Sequence, residues 1–186
     1  MKLLIMGPPG VGKGTQADCI KNELMILHLS TGEILRAEVD AKSVIGRNAK
    51  LYMDFGRLVP DNILIEIVTE RISKSDCQNG YILDGFPRTL PQAKGLDEMM
   101  HSIGHDLDCA ISLTANKDEL LDRLIKRGEE SSRSDDTPDV IRNRQKIYWE
   151  QTAPLLDFYH EKGILKEVDG LGEIPEITKR ILDVLK

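Results

Sequence analysis

The sequence predicts an α/β domain, a parallel sheet covered by helices on both faces. Two observations predict it. Five short aliphatic runs, at residues 3–6, 26–29, 81–84, 109–113 and 164–168, are each bounded by Gly, Pro or polar residues, the pattern of strands buried on both faces. Between them apolar residues recur at helical spacing, as at Ile63, Ile67 and Val68. Strand–helix–strand alternation implies right-handed crossovers and parallel pairing. The 186 residues fit one domain with an excursion, at about 100–200 residues per domain.

Composition narrows the class. Hydrophobic residues make up 40% and aromatics only 4%, so there is one sizeable, aliphatic core. Lys plus Arg total 25 against 31 Asp plus Glu, a net charge of −6, which argues against a nucleic-acid binder. No apolar run reaches the roughly 18 residues of a membrane helix. The opening residues 1–6 resemble the start of a signal sequence. Gly7-Pro8-Pro9-Gly10 ends the run short of the apolar core of about 7–15 residues that a signal needs. Cys19, Cys77 and Cys109 are scattered and form no C-x-x-C, so neither a disulfide framework nor structural zinc is expected; reduced thiols suit the cytoplasm. His101 and His105 have i, i+4 spacing, but Gly104 breaks the helix between them. They, His28 and His160 read as ordinary residues.

The first run leads into Gly7-Pro8-Pro9-Gly10-Val11-Gly12-Lys13-Gly14-Thr15. G-x-x-x-x-G-K between a strand and a helix is a P-loop. Its glycines let backbone N–H groups curl around phosphate, and the helix points its positive end at the anion. Lys13 adds a mobile charge for the β- and γ-phosphates. The position after Lys13 is Gly14, and the hydroxyl comes one later, at Thr15. That displacement of the usual Mg²⁺ ligand argues against a GTPase or motor ATPase.

After the second run, Ser30 and Glu33 have capping-box spacing, which places Arg36 early on a helix, within reach of an anion. Residues 30–59 give helical patterns without a strand. The third run ends in Asp84-Gly85-Phe86-Pro87-Arg88-Thr89. An acid at the carboxyl end of a strand beside a P-loop is where a Mg²⁺ partner belongs. The fourth run precedes a helical stripe at Leu120, Leu121, Leu124 and Ile125. Residues 126–138 are almost wholly polar, and a long polar stretch in a compact domain reads as a lid or binding loop. Arg123, Arg127, Arg133 and Arg144 bracket it, with Asp135 and Asp136 inside; guanidinium groups suit phosphate and stay charged when buried. The last run leads into a helix carrying Ile174, Ile177 and Ile181.

These pieces together resemble the short-lid adenylate kinases, of the nucleoside monophosphate kinase family. The resemblance runs over nearly the whole chain. It is carried by GPPGVGKGTQ at 7–16, STGEILR at 30–36, GRLVPD at 56–61, DGFPRTLPQA at 84–93, RGEESSRSDD at 127–136 and TAPL at 152–155. It implies a P-loop fold, a five-stranded parallel sheet with a core at 1–29, 60–125 and 138–186. It implies two excursions, a helical monophosphate-binding arm at 30–59 and a short lid at 126–137. Gly10, Val11, Gly12, Lys13, Gly14 and Thr15 would hold the ATP phosphates, with Arg123, Arg127 and the backbone near Gly172 also on the ATP side. Thr31, Gly32, Arg36, Met53, Gly56, Arg57, Leu58, Val59, Gly85, Phe86, Arg88 and Gln92 would form the AMP site. Arg133 and Arg144 would span the transferring phosphoryl group, and Asp84 would orient Mg²⁺ mainly through water. Ser132 stands where the family usually has Gly, and Glu33 replaces the commoner Asp. The implied reaction is MgATP plus AMP giving MgADP plus ADP, by a monomer with no membrane or nucleic-acid partner.

Two rivals are weaker. A pyrimidine monophosphate kinase would carry Ala at Thr31 and Asn at Thr89, and would lack Gln92. A GTPase switch would need N-K-x-D, but Asn116-Lys117-Asp118-Glu119 ends in Glu, and the only D-x-x-G, Asp169 to Gly172, follows it in the wrong order.

Overall fold

The computed structural model describes residues 1–116, 120, 123–125 and 137–186. Five strands, β1 (Lys2–Met6), β2 (Leu27–Ser30), β3 (Tyr81–Asp84), β4 (Cys109–Thr114) and β5 (Leu165–Asp169), form one parallel sheet in the order β2-β3-β1-β4-β5. Each lies within a residue of its expected position. Ser30 belongs to β2, paired with Asp84, so the helical excursion starts one residue later than the sequence suggested. α1 (Lys13–Leu24), α2 (Thr31–Asp40), α3 (Val44–Met53), α4 (Asp61–Ile72) and α5 (Leu90–Ser102) come before β4. α6 (Pro138–Ile147), α7 (Leu155–Glu161) and α8 (Ile174–Val184) come after it, with a π-helical turn at Tyr148–Thr152 between α6 and α7.

The two-residue period of the strands sorts the core into two layers. Leu4, Met6, Tyr81 and Leu83 face α4, α5 and α7, where Val68, Leu96 and Tyr159 meet them. Leu3, Ile5, Ile82 and Ile111 face α1 and α8, where Ile20 and Ile181 complete the second layer. Each such aliphatic side chain contributes about 1.5–3 kcal/mol on full burial, so the sheet is clamped from both sides and its carboxyl edge is a rigid platform.

α2 and α3 form a hairpin beyond that edge. Ser30 caps α2 by accepting from Glu33 N at 3.4 Å, and Ser43 caps α3 by accepting from Gly46 N at 2.8 Å. The hairpin closes tightly because residue 46 has no side chain: a Cβ there would stand 2.0 Å from the Glu38 carbonyl oxygen.

His105, which the sequence left as ordinary, is buried beside Tyr81 of the first layer. It is 3% exposed, its Nδ1 lies 3.3 Å from the Tyr81 hydroxyl, and its Nε2 has no partner among the described residues. Burial, then the charge of Lys2, holds its imidazole below the usual histidine range. The unfolded chain therefore binds the proton more readily, at about pH 6.5, and His105 costs stability as pH falls through that value. Replacing His105 with Phe, which cannot be protonated, should narrow the drop in melting temperature between pH 7.5 and about 5.5. An unchanged pH dependence would show that the imidazole takes up its proton as readily in the folded protein as in the unfolded chain.

Candidate functional site

A cavity of about 650 Å³ opens at the carboxyl edge of the sheet, where β1 and β3 end. Its walls are the loop after β1, the start of α1, the turn after β3, the start of α2 and the far end of α6. Lys13, Arg36, Arg88 and Arg144 line it, against Asp18, Glu33 and Asp84. An acidic chain has thus brought four cations to one place.

The loop after β1 is shaped by three glycines at positive φ: Gly7, Gly10 and Gly12. Two are also fixed by space. A Cβ on Gly7 would lie 2.6 Å from the Leu113 carbonyl oxygen, and one on Gly10 2.8 Å from Leu124 Cγ. Val11 is buried beneath the turn and anchors it. Lys13 opens α1 and donates to the carbonyls of Gly7 and Pro8 at 2.8 and 3.1 Å, so its ammonium sits over the loop. Gly14 faces Asp84: a Cβ there would stand 3.6 Å from Asp84 Oδ2, an ordinary contact. Thr15 lies on the cavity wall.

Asp84 ends β3 beneath these groups. His28 Nε2 stands 3.5 Å from its Oδ2, and His28 Nδ1 lies 3.1 Å from Asp18 Oδ1. The contact to Asp84 is at ion-pair rather than good hydrogen-bond distance. Burial works to raise the Asp84 pKa, but contact with His28 and the charges of Lys13, His28 and Arg88 outweigh it and hold the carboxyl below its usual range. Burial likewise works against protonated His28, and the two carboxylates outweigh it, so its pKa is raised. The sequence reading of His28 as ordinary is therefore corrected. The signal was in the register: His28 is two residues before Ser30, which pairs with Asp84, so it shares a face with the site.

The arginines are seated on glycines. Arg36 Nη1 would lie 3.3 Å from a Cβ on Gly32. Arg88 Nη2 would lie 3.0 Å from one on Gly85, and Arg144 Cγ 3.0 Å from one on Gly56. Arg88 Nε also donates to the Gly85 carbonyl at 2.8 Å. Leu58 and Gly85 reach the cavity wall. Val59, Phe86 and Thr31 are buried, Thr31 with its hydroxyl donating to the Asp84 carbonyl at 3.3 Å. Met53 ends α3 and Arg57 stacks over Phe55 at 5.8 Å; neither lines the cavity. Gln92 is fully buried behind Arg88, its amide engaged by Arg88 N and Asp61. Arg123 is exposed and donates to the Gly170 carbonyl at 3.4 Å. Gly172 has φ 117° and lies against Glu176 and Arg180; Ile174, two residues on, lines the cavity. Arg127 and Arg133, and with them nearly all of the expected lid, lie outside the described residues.

α6 bridges two walls of the site, which the sequence did not reveal. Asn143 donates to the Phe55 carbonyl at 2.7 Å, and Gln145 donates to the Pro9 carbonyl at 3.0 Å. Arg144 stands between these two anchors. Among the described residues, no cluster of three or more His, Cys, Asp or Glu side chains could hold a metal ion on its own, and no helix is long and apolar enough to cross a membrane.

The sequence as a whole is similar to that of known proteins. The family model described as adenylate kinase matches residues 5–164. An adenylate kinase of Nocardioides sp. is 48% identical over 185 residues, covering 100% of this chain and 97% of the relative. One from Stenotrophomonas maltophilia (strain R551-3) is 46% identical over 186 residues, covering both chains completely. One from Leptospira biflexa is 49% identical over 181 residues, with 97% of each chain covered.

Proposed function

Because the chain belongs to the adenylate kinase family and is an ATP:AMP phosphotransferase, we propose that the cavity at the sheet edge holds both nucleotides and that its cations carry the transfer. The observation that supports this most directly is the grouping of Lys13, Arg36, Arg88 and Arg144 on one cavity wall system above Asp84. Gly10 to Thr15 would wrap the ATP phosphates, with Arg123, Arg127 and the backbone near Gly172 on the same side. Arg36, Arg88 and the residues around Gly56, Leu58 and Gly85 would hold AMP. Residues 30–59 are then the arm that brings AMP in, and 126–137 the lid over ATP.

The nucleophile is a phosphate oxygen of AMP. Its second pKa is about 6, so it is ready at neutral pH without a general base. The barrier lies in aligning two polyanions and excluding water as a rival acceptor. Catalysis is then positioning and electrostatic stabilisation by fixed cations. Mg²⁺ carried on ATP would neutralise phosphate charge, and the residues fit it. Asp84 is a carboxylate kept charged by its neighbours, and Gly14 leaves room between it and the loop. A single carboxylate suits an ion that keeps most of its waters.

An acceptor panel tests the reading. With ATP as donor, AMP should far exceed UMP, CMP and GMP in ADP formation measured by a coupled assay. Gln92→Leu should raise KM for AMP by about tenfold, from a buried amide lost to the base, and leave KM for ATP unchanged. Equal effects on both substrates would place Gln92 outside the acceptor pocket.

A further inference from the structure

Asp61 is assigned nothing above, yet it is the hub of a closed polar network. Gln92 Nε2 donates to Asp61 Oδ1 at 2.7 Å, and Thr89 Oγ1 donates to Asp61 Oδ2 at 3.1 Å. Arg88 N donates to Gln92 Oε1 at 2.7 Å, and Gln92 N donates back to Thr89 Oγ1 at 3.3 Å. Asp61 lies in the first turn of α4 after Pro60, and Gln92 in the first turn of α5 after Thr89. Packing of α4 against α5 therefore sets their separation.

The chemistry of these partners fixes which end of the amide is which. A backbone N–H can only donate, so it must meet Oε1. A carboxylate can only accept, so it must meet Nε2. A flipped Gln92 would set oxygen against carboxylate and N–H against N–H. An amide has two N–H donors and two lone pairs, so one of each is left for a base, in a fixed order. Adenine presents an acceptor at N1 and a donor at its 6-amino group, and matches one order. Hypoxanthine and guanine present N1–H and a 6-carbonyl, and match the reverse.

We propose that Asp61 is a specificity-determining positioning residue, which locks the Gln92 amide in the order that accepts a 6-aminopurine and rejects a 6-oxopurine. This rests on Gln92 being the residue that reads the acceptor base, the role the family resemblance implies for it; here it is fully buried behind Arg88, and the base would have to reach it there. Asp61 itself touches no substrate.

The test compares AMP with inosine monophosphate, which differ only at this edge. Asp61→Asn has the same shape but can donate as well as accept, so residue 61 stops opposing the flip and the Arg88 N–H alone still favours the native order. The ratio of kcat/KM for AMP over inosine monophosphate should fall on the order of tenfold, through KM, with kcat and KM for ATP held. Asp61→Glu is still acceptor-only and should stay closer to wild type. In a Gln92→Leu background, Asp61→Asn should change the ratio no further. Melting temperatures of the variants identify any loss of fold. A ratio within twofold of wild type in Asp61→Asn, an equal loss with both acceptors, or a larger loss in Asp61→Glu than in Asp61→Asn would each overturn the proposal. If Gln92→Leu raises KM for AMP and Asp61→Asn leaves the ratio alone, only the lock is wrong. If Gln92→Leu leaves KM for AMP unchanged, the reading beneath it is wrong too.

Discussion

Replacing Lys13 with Met should leave the protein folded and cost it about 10³-fold or more in turnover, by analogy with the charge-stabilising groups of phosphoryl transfer. The fold should survive because the Lys13 side chain packs into neither core layer. Its ammonium donates to two loop carbonyls at the cavity, those of Gly7 and Pro8, and Met keeps the length of the stem. The rate should fall because the ammonium is the cation that the loop itself supplies, at the start of a helix whose dipole already favours phosphate. There is a second consequence. Lys13 is one of the charges holding the Asp84 carboxyl below its usual range, so its loss also removes support for the charged form of the carboxylate expected to orient Mg²⁺. The measurement is ADP formation from ATP and AMP beside a thermal melt. A variant that melts as wild type and turns over near normally would remove the phosphate-loop assignment.

The sheet was legible almost to the residue because a strand buried on both faces must be a short unbroken aliphatic run, and this chain has five of them. What composition and spacing left open was which run lies beside which. The order β2-β3-β1-β4-β5 is what sets Asp84 next to the phosphate loop and His28 next to Asp84, and no local signal fixes strand order. For that reason His28 was passed over although it touches the acid expected at the metal. His105 was passed over for a different reason. A histidine in a polar-looking GHD stretch gives no sign that the backbone after α5 turns it under Tyr81. Asp61 was quoted in a motif and given no role, because its function lies in the two side chains it meets, from a helix thirty residues away in the chain.

The glycines show a second limit. The resemblance places Gly32, Gly56 and Gly85 in the AMP site without saying what each does there, and two of the three have positive φ. A Cβ on any of the three would press on an arginine: on the guanidinium of Arg36 or of Arg88, or on Cγ of Arg144. A long cation held down on backbone loses less freedom on meeting phosphate than one waving in solvent, and that loss would otherwise be of order 1–2 kcal/mol per side chain. The residues that seat the charges are therefore part of the electrostatic device, although they carry no charge.

Arg144→Ala should depress turnover by about 10³-fold with little change in equilibrium ATP affinity, since a cis arginine on the transferring group does the work of an arginine finger. The placement of α6 supports this. Asn143 is tied to the Phe55 carbonyl near the end of the excursion we propose to bind AMP, and Gln145 to the Pro9 carbonyl of the loop after β1. Arg144, between them, lines the cavity from the helix that touches both sides. A group so placed is suited to charge that develops between donor and acceptor, and less to either nucleotide alone. An interaction made only in the transition state lowers kcat and kcat/KM together, whereas one made equally in the ground state raises KM alone. Arg133, expected from the sequence to meet the same phosphoryl group from the lid, should behave alike. Arg127, expected on the ATP phosphates, should show its loss in KM for ATP. Arg144→Lys should recover only part of the rate, because one ammonium cannot bridge two phosphate oxygens as a planar guanidinium does. Single-turnover kinetics with both substrates saturating separate the steps. A chemical step of unchanged rate in Arg144→Ala, with only product release altered, would make Arg144 a latch between α6 and the arm rather than a partner of the phosphoryl group.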